Sequence, residues 1–130
     1  MRYRVSGFVG IVAFVLAVSA AVAHHSVSGQ FDTSKPITLK GVISKVDWIN
    51  PHIYVHLDVK EPDGTTSTWA LSTLPTAMMR RAGMTKEALQ GKPGEEVTIN
   101  AVPARDGSKH LGWINKITYA DGHTLSPTGQ

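Results

Sequence analysis

His24 and His25 are the residues with the clearest capacity for chemistry. They follow Ala21-Val22-Ala23, a small-x-small run of the kind cut at the end of a secretory leader. A cut after Ala23 makes His24 the first residue. Its free amine and its imidazole then offer two nitrogens to one metal ion, and such ligands suit copper, zinc and nickel. One more nitrogen from elsewhere completes a tight copper site, and His25 and His52 are the candidates to serve with His24. A cut after Ala21 gives Val22-Ala23-His24 instead, a histidine third from a free amine, which favours square-planar copper or nickel.

A second group lies at His52, Tyr54 and His56. The two-residue spacing puts all three on one face of a strand. At about 3.3 Å per residue, His52 and His56 stand roughly 13 Å apart, too far for one ion bound at about 2 Å by both rings. The three therefore read as a contact surface for a ligand, set against the plainer alternative of a solvated sheet face. Asn50-Pro51 precedes this stripe. Pro51 holds Asn50 extended and supplies no amide donor, so Asn50-Pro51-His52 reads first as a shaped connection between strands.

Other arrangements lack what catalysis needs. Ser26 beside His25 has no third group to orient the base. Glu95 and Glu96 are adjacent and point to opposite sides of a strand. Arg80-Arg81 reads as a solvated helix surface. Gly91, Gly94 and Gly107 have turn spacing, not phosphate-loop spacing. Trp48, Trp69 and Trp113 each fall in a strand's apolar register, so they read as core rather than as stacking platforms. Catalytic residues: none; the chain is not expected to be an enzyme.

The elements that must position these residues follow from pattern. Residues 1–23 read as a signal peptide: Arg2 and Arg4, then the apolar run Phe8 to Val18, then the small-residue cut. Export to the periplasm is the resulting expectation, with no membrane span after cleavage. Arg2 and Arg4 take two of the 13 Lys and Arg, while all 10 Asp and Glu come later, so a chain from His24 onward carries +1. That excludes the strong basic patch of a nucleic-acid binder. The chain has no cysteine, which removes disulfides, thiolate metal sites and Cys nucleophiles.

Residues 24–36 read as an N-terminal arm pinned by Phe31. Ile37 to Asp58 reads as a long bent strand, a break at Asn50-Pro51-His52, and a second strand. In the first, Ile37 and Leu39 alternate with Thr38 and Lys40, whereas Val46 and Trp48 take the other parity. Gly41 suggests a bulge or bend near that change of phase. In the second, Ile53, Val55, Leu57 and Val59 share the inner face. Pro62-Asp63-Gly64 turns into a third strand with Trp69 and Leu71 inward. A short helical segment follows, with Thr73 as cap, Gly83 ending its first piece, and Thr85 capping a second piece. Met84 and Leu89 have the spacing of a hydrophobic staple.

Val97, Ile99 and Ala101 mark a fourth strand. Leu111, Trp113 and Ile117 mark the inner face of a fifth, with Ile114 out of phase. Residues 126–130 read as a flexible tail. Three strands, a helical segment and two strands predict a mainly β chain: a five-stranded OB-like barrel over residues 37–125.

His24-His25-Ser26, Phe31-Asp32, Leu39-Lys40-Gly41, Asn50-Pro51-His52, Trp69, Arg80-Arg81 and Asp121-Gly122 together resemble a family of small exported bacterial proteins known only as a domain of unknown function. The resemblance spans nearly the whole chain after the leader. It implies export and a small β-barrel-like domain, and it brings no activity. Met84 stands where the pattern has a tryptophan. The functional expectation is a binding module for a small ligand, peptide or protein partner, acting as a monomer. The alternative is a copper-binding or copper-handling protein.

Overall fold

The computed structural model describes residues 26–127. The expected signal peptide, His24 and His25 lie outside them, as do residues 128–130. The elements are α1 (Ser26–Gln30), β1 (Ile37–Asp47), β2 (Tyr54–Lys60), β3 (Thr66–Ser72), α2 (Thr76–Arg81), α3 (Lys86–Gln90), β4 (Glu96–Pro103), β5 (Leu111–Thr118) and β6 (Thr124–Leu125). A helix at the arm and a sixth strand were not expected from the sequence.

β1 makes closure possible because it serves two neighbours. Residues 37–42 pair with β4, and Val42 to Asp47 pair with β2. β2 pairs with β3, β4 pairs with β5, and β3 meets β5 in parallel through Ala70–Leu111, Leu71–Gly112 and Ser72–Trp113. The cycle β1-β2-β3-β5-β4 is closed, with α2 and α3 between β3 and β4. This is the five-stranded barrel of the OB-fold. His110 helps seal the parallel seam: at φ 55° its carbonyl accepts from the Ala70 amide at 2.8 Å.

The change of phase in β1 falls at Ser44, not at Gly41. Ile43 pairs with Leu57 and Lys45 with His56, which leaves Ser44 as the extra residue of a bulge. Ser44 and Lys45 are both exposed, between buried Ile43 and Val46. Gly41 has a different task. A Cβ there would sit 2.2 Å from the Asp58 carbonyl oxygen, so glycine lets two backbones approach where β1 changes partner.

The interior is built as the alternation implies. Ile43, Val46, Ile53, Val55, Leu57, Leu71, Val97, Ile99 and Ala101 are buried together. Met79 from α2 and Leu89 from α3 complete this core. Thr85 caps α3, its Oγ1 accepting from the Ala88 amide at 3.1 Å. Met84 packs against the cluster that holds Leu89, as a staple should. Thr73 does not cap α2. Pro75 occupies the cap position, and Thr73 is buried with its Oγ1 unpaired.

β5 departs from the expected face. Asn100 pairs with Lys116 but Ala101 with Ile114, so Asn115 is the extra residue of a second bulge. Ile114 and Ile117 thus both enter the barrel, and Leu111 and Trp113 face outward. There Trp113 forms a second cluster with Phe31 and Val102, joined by Val27, Leu74 and Leu111. The arm is therefore packed, not merely pinned. At the other terminus Pro127 is buried, so packing continues past residue 125 into the expected tail. Among the described residues both apolar clusters and every ladder lie within residues 27–125.

Candidate functional site

On the outer face of β2, Tyr54, His56 and Asp58 stand in a row, as the alternation requires. Across β3 their partners are Ser72, Ala70 and Thr68, and beyond those lie Trp113 and Leu111 of β5. At this face Tyr54 and Leu111 border a depression. α1 and the β4–β5 turn wall it in. The result is a cavity of about 410 Å³ lined by Gln30, Phe31, Tyr54, Ala104, Arg105, Asp106 and Leu111, with Gly29 at its edge.

The three residues expected to form a contact surface occupy three different settings. Tyr54 is half-buried and lines the cavity. His56 turns to β1, where its Nε2 lies 2.8 Å from Asp47 Oδ2, while Lys45 Nζ lies 2.7 Å from Asp47 Oδ1. The Lys45 contact first, then His56, holds the Asp47 carboxyl below its usual range. His52 precedes β2 and meets Trp113 edge-on, with ring centroids 6.3 Å apart. Its Nδ1 is buried without a hydrogen-bond partner among the described residues. The sequence's stripe is thus only partly one surface: Tyr54 belongs to the cavity, and His56 to a hydrogen bond with Asp47 beside it.

Arg105 is the cavity-lining residue that strand patterning missed. Its amide donates to the Gln30 carbonyl at 2.8 Å, its Nε to Ser28 at 3.2 Å and its Nη2 to Phe31 at 3.4 Å. A cation on the last carbonyls of a helix is favourably placed. The Asp32 amide donates to the Pro103 carbonyl at 2.8 Å beside it. These contacts fix the arm as one wall of the cavity. Asp106 Oδ1 accepts from the Ser108 amide at 2.9 Å and shapes the opposite wall. A sequence signal existed: a lone arginine just before the Asp106-Gly107 turn.

The metal expectation meets the structure only at His52, since His24 and His25 lie outside the described residues. Among the described residues no group of three or more His, Asp or Glu is arranged to hold a metal ion. No helix among them is long and apolar enough to cross a membrane.

A family model matches residues 13–123 of the chain. The chain belongs to DUF6152, a family of unknown function. Membership agrees with the resemblance drawn from the motifs. In this DUF6152 chain Phe31-Asp32 is the arm's anchor, Gly41 is the close approach of β1 and β2, and Asp121-Gly122 is the turn before β6. No curated protein matches the chain. Among solved structures, the mitochondrial single-stranded DNA binding protein Rim1 of S. cerevisiae is similar with TM-score 0.46 and 13% identity, over 68% of this chain and 97% of that one.

Proposed function

We propose that this DUF6152 chain is an exported, periplasmic binding module, without enzymatic activity, whose site is the cavity between α1, β2 and the β4–β5 turn. The observation that carries this reading is the cavity itself. Its volume of about 410 Å³ falls within the range of small-molecule sites. Its lining combines Phe31, Tyr54 and Leu111 with the polar Gln30, Arg105 and Asp106, which is how such sites combine area with orientation. An aromatic or apolar small ligand, or one apolar side chain of an extended peptide, suits that lining. Calorimetry with small aromatic fragments and the chain from His24 onward tests it. Tyr54→Ala is expected to weaken binding about thirtyfold, as for loss of a central aromatic contact. Equal binding by wild type and variant would remove the proposal.

A copper-handling role is the second reading, favoured by the orphaned Nδ1 of His52. Val27 packs in the cluster that holds Trp113, and Trp113 touches His52. A chain beginning at His24 is expected to bind one copper ion, and His52→Ala to weaken that binding at least tenfold. Affinity no greater than that of a free peptide beginning His24-His25-Ser26 would end this reading.

A further inference from the structure

One end of the barrel carries features that the cavity does not use. Among the described residues the exposed large apolar side chains are Ile49, 56% exposed, and Met78, 49% exposed. They come from separate segments, the β1–β2 connection and α2. Thr76 Oγ1 donates to Asn50 Oδ1 at 2.8 Å, which joins those two segments. Beside them a depression of about 340 Å³ is lined by Trp48, Arg80, Met84, Thr85, Lys86 and Glu87. Across α2 and α3 the charges are Arg80, Arg81 and Lys86 against Glu87 alone. Among the described residues none of the three cations is ion-paired.

We infer that this end docks on an anionic phospholipid bilayer. Apolar tips next to unpaired cations are the composition of a surface that lies in the membrane interface. Ile49 and Met78 enter the acyl boundary. Arg80, Arg81 and Lys86 face lipid phosphates, where each basic residue contributes to attraction that salt screens. The Trp48 indole, half-buried and lining the depression with Arg80 and Lys86, sits at headgroup level, as amphipathic rings do. An acidic protein partner would match the charge, but it would not require two unconnected apolar tips at the rim. This surface lies apart from the Tyr54 cavity, and the two proposals stand or fall separately.

Co-sedimentation with vesicles tests the inference. The chain from His24 onward is used, so that the apolar leader contributes nothing; it contains every ladder and both cores found among the described residues. Vesicles of phosphatidylcholine with phosphatidylglycerol are compared with phosphatidylcholine alone. Binding is expected only to the anionic vesicles and falls as salt is raised. Arg80→Gln with Arg81→Gln is expected to lower partition about thirtyfold. Ile49→Ser with Met78→Ser is expected to lower it about tenfold with an unchanged melting temperature, because both side chains are exposed in the fold. Equal binding to both vesicles, no binding to either, or unaltered binding by both double variants overturns it. A dimer that Ile49→Ser disrupts, without vesicle binding, overturns it in favour of a second copy of the chain.

Discussion

Tyr119→Ala is expected to cost about 3–5 kcal/mol, the range for deleting a buried aromatic side chain. That is a large share of the 5–15 kcal/mol that holds a domain of this size. Tyr119 is 2% exposed and ties the end of β5 to α3. Its hydroxyl shares its one proton between the Leu89 carbonyl at 2.8 Å and the Ala88 carbonyl at 3.0 Å, the unpaired end of α3. Burial, with help from the Glu95 carboxylate, pushes the phenol well above its usual range, so it remains a donor at any working pH. Its ring stacks on His123 at 4.3 Å and closes against Gly91, where a Cβ would lie 2.9 Å from the ring.

Tyr119→Phe keeps the packing and loses only the hydrogen bonds, so about 1–2 kcal/mol is expected. Urea unfolding of both variants measures the two parts. Equal losses would show that the hydroxyl, not the ring, carries the effect. Glu95 completes this clasp: its Oε2 accepts from the Lys92 amide at 2.9 Å and its Oε1 from the Ala120 amide at 3.0 Å. Those bonds, Lys92's first, lower its pKa. A lowered carboxyl stabilises the fold above its unfolded pKa, and that contribution is lost as pH falls through the folded value. In Glu95→Gln the loss of stability on acidification is therefore expected to be shallower than in wild type.

The second large effect is at Gly41. A methyl group there meets the Asp58 carbonyl oxygen at 2.2 Å and its carbon at 2.9 Å. Both are backbone atoms of the paired strand, so no rotamer change relieves the contact. Gly41→Ala must push β1 from β2 where β1 also holds β4, and about 3 kcal/mol or more is expected. Gly29 is the control. Nothing lies within 4 Å of a Cβ there and it sits within α1, so Gly29→Ala is expected to be neutral or to stabilise by up to about 1 kcal/mol. Melting temperatures of the two variants decide the matter: similar shifts would contradict the close approach.

The barrel was legible in the sequence because its interior obeys period two. Ile53, Val55 and Leu57, and Val97, Ile99 and Ala101, were placed correctly by alternation alone. The bulges were not. Ser44 and Asn115 each shift the phase by one residue, and a polar residue gives no sign of being extra until its strand partner is known. That is why Gly41 drew the first bulge and why Trp113 was set inside the barrel. The site was less legible still. It is made by contacts between residues far apart in sequence: Arg105 holds α1 through backbone carbonyls, which no side-chain pattern records. Tyr54 could be set on the barrel's outer surface because it lies on the outer face of a clean strand. His52 and His56 shared its parity, but not its surroundings.

The central claim is that the cavity lined by Tyr54 and Leu111, walled by α1 and the β4–β5 turn, receives the ligand. Amide nitrogen–proton spectra of the labelled chain, titrated with small aromatic fragments, test it most directly. The account predicts saturable shifts gathered at Gly29, Gln30, Tyr54, Ala104 and Leu111, and their disappearance in Tyr54→Ala. Saturable shifts confined to other faces of the barrel, or none with any fragment, would contradict it.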